Sequence, residues 1–261
     1  MIATAFPVGF FAGLFGIGGG LITVPFLFFI FEALDVNQIY IMHLAAGTSF
    51  AIIIPTSLVS VYTHNKHQSV DHKIIKTYGI FVITGVLLGT TFAALMETKS
   101  LVLFFSVVVY FLGTYLLLNS NTKAIKGNKF NLLYRIIFGL ISGFVSAPMG
   151  IGGAVMNVPI LKYFGYPIKK AIGSAAAIGF IIALFGSIGF LFSGSLLNVQ
   201  LPLSYGFINI PAFLIFIPIT MFMARVGANT AHKIDKTKLQ VLFGIFLYVV
   251  GTIFVYRYVT L

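Results

Sequence analysis

Eight long apolar runs fill most of this 261-residue chain, and their lengths leave few folds open. Six of them, residues 40–62, 75–96, 101–118, 168–192, 201–224 and 239–258, match the ~20 apolar residues that carry one helix across a bilayer. With 59% hydrophobic and only 8% charged residues, and a mean hydropathy of +1.06, a water-soluble fold would lack the polar surface it needs. The expected class is an all-α polytopic membrane protein. The opening stretch "MIATAFPVGFFAGLFG" contains no basic residue, unlike a secretory signal, and is expected to stay in the fold. There is no cysteine, so disulfides, thiolate metal sites and thiol nucleophiles drop out. The net charge of +11 is scattered over short loops rather than gathered in a basic domain, so nucleic acid is not an expected partner.

The two remaining runs, residues 2–31 and 132–164, are too long and too broken for single simple spans. Each carries a glycine knot, "GLFGIGGGLITVPFL" from Gly13 and "APMGIGGAVMNVPIL" from Ala147. Laying Gly16-Ile17-Gly18-Gly19 on Gly150-Ile151-Gly152-Gly153 also brings Pro25 onto Pro159, Thr23 onto Asn157 and Leu27 onto Leu161. A second echo, "AAGTSF" at Ala45 against "AIGSAA" at Ala171, pairs Gly47 with Gly173 and Thr48 with Ser174. The chain therefore reads as two repeats, residues 1–118 and 132–261, joined by a basic cytoplasmic linker at 119–131. Each repeat is a broken segment followed by three helices.

Loop charge orients the repeats, because loops facing the cytoplasm collect Lys and Arg. If every run crossed once, the basic loops of the two halves would fall on opposite sides. If each glycine-knotted segment turns back and leaves on the side it entered, all of the 16 Lys and Arg residues except Lys99 and Arg257 share one side. Glu32, Asp35 and Glu97 then lie opposite with those two. That arrangement gives three net crossings per half, an odd number, so the repeats are expected to be inverted with both termini outside.

Non-helical backbone at membrane depth is tolerated only where protein buries it or where it lines a wet cavity. After each turn a new helix begins near Gly18, Gly19 and Gly20, or near Gly152 and Gly153, with free amides and the positive end of its dipole. Two such helix starts meeting near the midplane would suit a small oxyanion, with Thr23, Thr48, Ser49, Asn157 and Ser174 completing the shell. The alternative is that the glycines serve close helix packing and that the hydroxyls bond their own helix backbone. His64, His67, Asp71 and His72 sit together in a basic loop, where solvated side chains are the simpler reading than a metal cluster. His43, at the start of a span, reads as an interfacial residue more readily than as a proton relay. No spacing sets a nucleophile, base and orienting group together, so an enzyme is not expected.

The paired "GIGGGLITVP" and "GIGGAVMNVP", each trailed by its "GTS" or "GSA" echo, resemble the TauE/SafE family of sulfite exporters, the TSUP permeases. The likeness covers nearly the whole chain. It implies a permease for sulfite, sulfonates, sulfoacetate or similar small anions in a bacterial inner membrane, working by alternating access. Its implied partners are the anion, the bilayer and a coupling ion such as the proton, with no cofactor and no metal. The chain departs from the family pattern where Ala147-Pro148-Met149 and Ala154 stand in the second half, which implies a stiffer second tip. A passive anion channel is the alternative function, and a membrane-embedded enzyme or assembly factor a third.

Overall fold

The computed structural model describes residues 1–15, 19–118, 130–231 and 234–261. Ten helices account for nearly all of them: α1 (Ile2–Phe15), α2 (Gly20–Ala33), α3 (Ile41–Lys66), α4 (His72–Leu95), α5 (Thr98–Leu118), α6 (Leu132–Met149), α7 (Ala154–Tyr163), α8 (Ile168–Leu196), α9 (Ile210–Ala231) and α10 (Lys236–Thr260). Seven of these, α3 to α6 and α8 to α10, are long and apolar enough to cross a membrane. The chain is thus an all-α polytopic membrane protein. Six of the seven were expected as simple spans. The seventh is α6, the first arm of the second broken run, whose 18 residues reach about 27 Å at the usual rise per residue.

One boundary differs from the expected pattern. Residues 201–209 are apolar but not helical: two short antiparallel strands, β1 (Ser204–Tyr205) and β2 (Ile208–Asn209), form a hairpin there. Pro202 cannot supply a backbone donor, and Leu203 and Gly206 turn the chain at φ 52° and 53°. The helix starts one residue after Asn209, whose side-chain oxygen accepts from the Ala212 amide at 3.0 Å, the N-cap arrangement.

Helix pairing crosses between the halves. α1 packs on α9, α4 on α6, α3 on α8 and α5 on α10. Glycines set the closest approaches: Gly13 lies on the Ala224 backbone and Gly227 on Phe10, while Gly85 lies on Leu140 and Gly143 on Val82. Gly9 meets Thr220 where Gly13 meets Ala224, and Gly85 meets Leu140 where Gly89 meets Phe144, so the α1–α9 and α4–α6 pairs are parallel. In α3 and α8, Gly47 meets Phe190 and Gly186 meets Phe50, so that pair is antiparallel. The same holds for α5 and α10, where Gly113 meets Tyr248 and Gly251 meets Tyr110.

The two ends of the bundle differ in charge. At one end, the Arg257 guanidinium meets Glu32 at 2.7 Å and the Lys99 ammonium stands 5.2 Å from the Tyr258 ring centre. At the other, Phe130, just before α6, stacks on Phe164, just after α7, with centroids 4.3 Å apart. Tyr134 and Phe138 of α6 also touch Phe164. The second broken segment therefore begins and ends at the same end of the molecule. Arg135 covers the Phe130 ring and donates to Thr77 at 3.0 Å. Nearby, burial and then the Asp71 carboxylate push the Tyr166 phenol above its usual pKa, against a pull downwards from Arg135.

Candidate functional site

Each broken segment turns on glycines in the left-handed region. α6 closes at Gly150, φ 63°, with the Ile151 amide on the Ser146 carbonyl at 3.3 Å and the Gly150 amide on Ala147 at 3.2 Å. That double bond is the Schellman closure, which only a residue tolerating positive φ completes without strain. α7 then opens on Gly153, φ 66°, whose carbonyl accepts from the amides of Met156 and Asn157. The first tip repeats the opening: Gly19, φ 79°, precedes α2, and its carbonyl accepts from Ile22 and Thr23 at 2.9 and 2.8 Å. Gly18, with Gly16 and Ile17, lies outside the described residues. Neither Gly19 nor Gly153 brings a side-chain cap, so the opening amides of α2 and α7 have no intrahelical acceptor.

Thr23 and Asn157, matched in the sequence, do matching work. The Thr23 hydroxyl donates to the Gly19 carbonyl at 3.0 Å, and the Asn157 amide donates to the Gly153 carbonyl at 2.7 Å. Each braces the cap of its own helix. The Asn157 oxygen also accepts from the Tyr78 hydroxyl at 2.7 Å and from Ser142 at 3.1 Å, so the second tip is tied to α4 and α6. Pro25 and Pro159 stand at equivalent places inside α2 and α7. Lacking an N–H, each leaves the carbonyl four residues earlier, Leu21 or Val155, without its helical donor.

The two tips touch. A methyl placed on Gly20 would stand 2.7 Å from the Gly150 carbonyl oxygen and from the Ile151 α-carbon. Ser49 of α3 donates to that same Gly150 oxygen at 2.9 Å, and Gly152 lies against Ile53 of α3 and Gly179 of α8. Ser49, Gly20, Gly152 and Gly153 are thus brought to one junction. Thr48 and Ser174 are bonded elsewhere. The Thr48 oxygen accepts from the Asn209 amide at the start of α9, and the Ser174 oxygen accepts from the Asp71 amide at the start of α4, each at 2.9 Å.

Among the described residues, no charged one belongs to this junction, so electrostatic attraction there comes from backbone amides and the dipoles of α2 and α7, roughly half a charge each. His43 is buried in the protein: its Nε2 donates to the Ala93 carbonyl at 2.9 Å and its ring stacks on Phe207, which the hairpin folds over it. In the basic loop, Asp71 caps α4 through the amides of Lys73 and Ile74, and His72 bonds Asn65. Among the described residues, no group of three His, Cys, Asp or Glu is placed to hold a metal ion. Tyr78, Ser142, Ser146 and Asn209 escaped the sequence reading. Only Asn209, a capping residue directly before Ile-Pro, carried a local signal.

Two broken segments meeting inside a bundle of spanning helices define a polytopic membrane protein of the transporter type. The chain belongs to the sulfite exporter TauE/SafE family, whose profile matches residues 1–254. A protein of Haemophilus influenzae described as a probable membrane transporter is 32% identical over 243 residues, covering 93% of this chain and 92% of that protein. One of Methanocaldococcus jannaschii, described in the same words, is 27% identical over 255 residues, covering 96% and 92%. A third, from Bacillus subtilis, is 24% identical over 263 residues, covering 94% and 92%. No solved structure matches the chain significantly.

Proposed function

We propose that the protein carries a small sulfur-containing oxyanion, such as sulfite or an organic sulfonate, across the bacterial cytoplasmic membrane by alternating access. The observation that carries this reading is the contact of Gly20 with Gly150 and Ile151. It brings the uncapped start of α2 against the turn that leads into the uncapped start of α7, with no lysine or arginine there among the described residues, an arrangement that suits an anion held by dipoles and amides inside a membrane.

Several features support division into two inverted halves, 1–118 and 132–261, joined by the basic linker. Helices of equal rank in the two halves, α3 with α8 and α5 with α10, run antiparallel. The hydroxyls of Thr48 and Ser174 each hold the backbone amide of the residue just before the other half's fourth helix. These matched contacts lie at opposite ends of α3 and α8, where a two-sided carrier needs its gates. Sidedness follows from charge: the end bearing Phe130, Arg135 and Phe164 is cytoplasmic, the end bearing Glu32, Lys99 and Arg257 and both termini outside. The transporter reading leaves no catalytic role to fill.

Flux through proteoliposomes tests the proposal. A carrier saturates with sulfite and is accelerated by sulfite on the far side. Linear, unaccelerated flux would instead mark a channel. Equal indifference to sulfite, thiosulfate, sulfoacetate and taurine would remove the substrate class altogether.

A further inference from the structure

Ser146 sits in the last turn of α6, facing the second tip. It is fully buried, yet its hydroxyl has no hydrogen-bond partner, one of three such buried side-chain atoms among the described residues. The neighbouring serine one turn earlier, Ser142, is bonded to Asn157. A membrane-embedded hydroxyl ordinarily bonds a carbonyl of its own helix, and leaving one unmade in a dry interior is costly. What Ser146 faces is the opening of α7: its oxygen is 3.3 Å from where a β-carbon on Gly153 would stand. The idle donor thus stands at the start of α7, whose first amides, those of Ala154 and Val155, have no intrahelical acceptor.

The repeat supplies an internal comparison. The register that lays Gly19 on Gly153 lays Ala12 on Ser146, and Ala12 occupies the equivalent place, its methyl 3.2 Å from a β-carbon on Gly19. The first tip therefore has a methyl where the second has a hydroxyl, so the duplication alone does not require the hydroxyl. Helix packing is met by alanine on one side and serine on the other.

Resting on the anion-carrier reading above, we infer that Ser146 is a ligand of the transported oxyanion, donating its hydroxyl to an anion oxygen together with the α7 amides. The anion is then held chiefly by the second tip. A neutral donor set of this kind suits a compact head with several acceptor oxygens, such as sulfite or a sulfonate group.

Anion affinity and ligand-free melting temperature of the purified protein, measured with sulfite, sulfate and sulfoacetate, test this. Ser146→Ala is expected to bind the parent's preferred anion about fivefold or more weakly, the weight of roughly one hydrogen bond. Its ligand-free melting temperature should equal or exceed the parent's, because an unmade hydroxyl has been removed. Ser142→Ala serves as the contrast, since its hydroxyl is already bonded and its loss should lower the melting temperature. Ser146→Cys, a smaller perturbation with a weaker donor, should fall between parent and alanine variant, and it takes over the test if Ser146→Ala does not fold. A smaller loss of affinity overturns the assignment while leaving the carrier reading intact. So does a loss accompanied by a melting-temperature drop as large as that of Ser142→Ala. If the parent binds none of the three anions, the assignment and the carrier reading fall together.

Discussion

The Asn157 side chain holds three groups at once, receiving Tyr78 and Ser142 and donating to the Gly153 carbonyl. Asn157→Asp keeps the two acceptor contacts but turns the donor into an oxygen facing that carbonyl, in a site with no cation to balance an ionised carboxylate. Tyr78→Phe removes only one donor and leaves the Asn157 oxygen its bond from Ser142, a loss of roughly 0.5–1.5 kcal/mol. Asn157→Asp should therefore lower the melting temperature more than Tyr78→Phe. The opposite order would mean that this network does not hold the tip. The need of Asn157 for a partner could be read in the sequence, since an amide in an apolar segment is expensive alone. The identity of the partner could not. Tyr78 lies 79 residues away inside a run whose other residues say only that it spans, and Ser146 is ordinary by type, notable only for a bond it does not make.

At the scale of elements, the two tips share a backbone but differ in what presses on them. Gly19→Ala must adopt φ near 79°, a conformation costing an L-residue roughly 1–2 kcal/mol, with its nearest neighbour the Ala12 methyl at 3.2 Å. Gly153→Ala carries the same strain and in addition overlaps the Ile182 δ-methyl and crowds the Asn157 amide at 3.0 Å, an overpacking of roughly 1–3 kcal/mol. The second substitution should be the more damaging to thermal stability and to sulfite flux alike, and equal effects would argue against a tighter second tip. These breaks were legible because glycine and proline act locally and left the same mark twice. The hairpin at 204–209 was hidden for the converse reason. Leu201, Phe207 and Ile208 are as apolar as any span and are buried, so their hydropathy outweighed the turn chemistry of Pro202, Gly206 and Asn209.

For the whole molecule, the sequence-level signal was the distribution of charge, and it leads to a direct test. The chain has no native cysteine, so single cysteines can be introduced at chosen ends. Those replacing Asp35 and Glu97 should react with an impermeant thiol reagent on intact cells, whereas those replacing Lys73, Arg135 and Lys169 should react only after lysis. Arg135 lies in the first turn of α6 and Lys169 follows α7, so their labelling from opposite sides would refute a segment that leaves where it entered. Loop charge could not reveal the exchange of partners between halves, because no local pattern in α1 names α9. That exchange bears on synthesis. Gly9 and Gly13 of α1 are shaped to the backbone of Thr220 and Ala224, which leave the ribosome roughly 200 residues later, or ~10–40 s at ordinary translation rates. During that interval α1 waits without the helix its glycine-lined face fits, so the order of manufacture runs opposite to the order of assembly, and a helix made early is among the last to find its place.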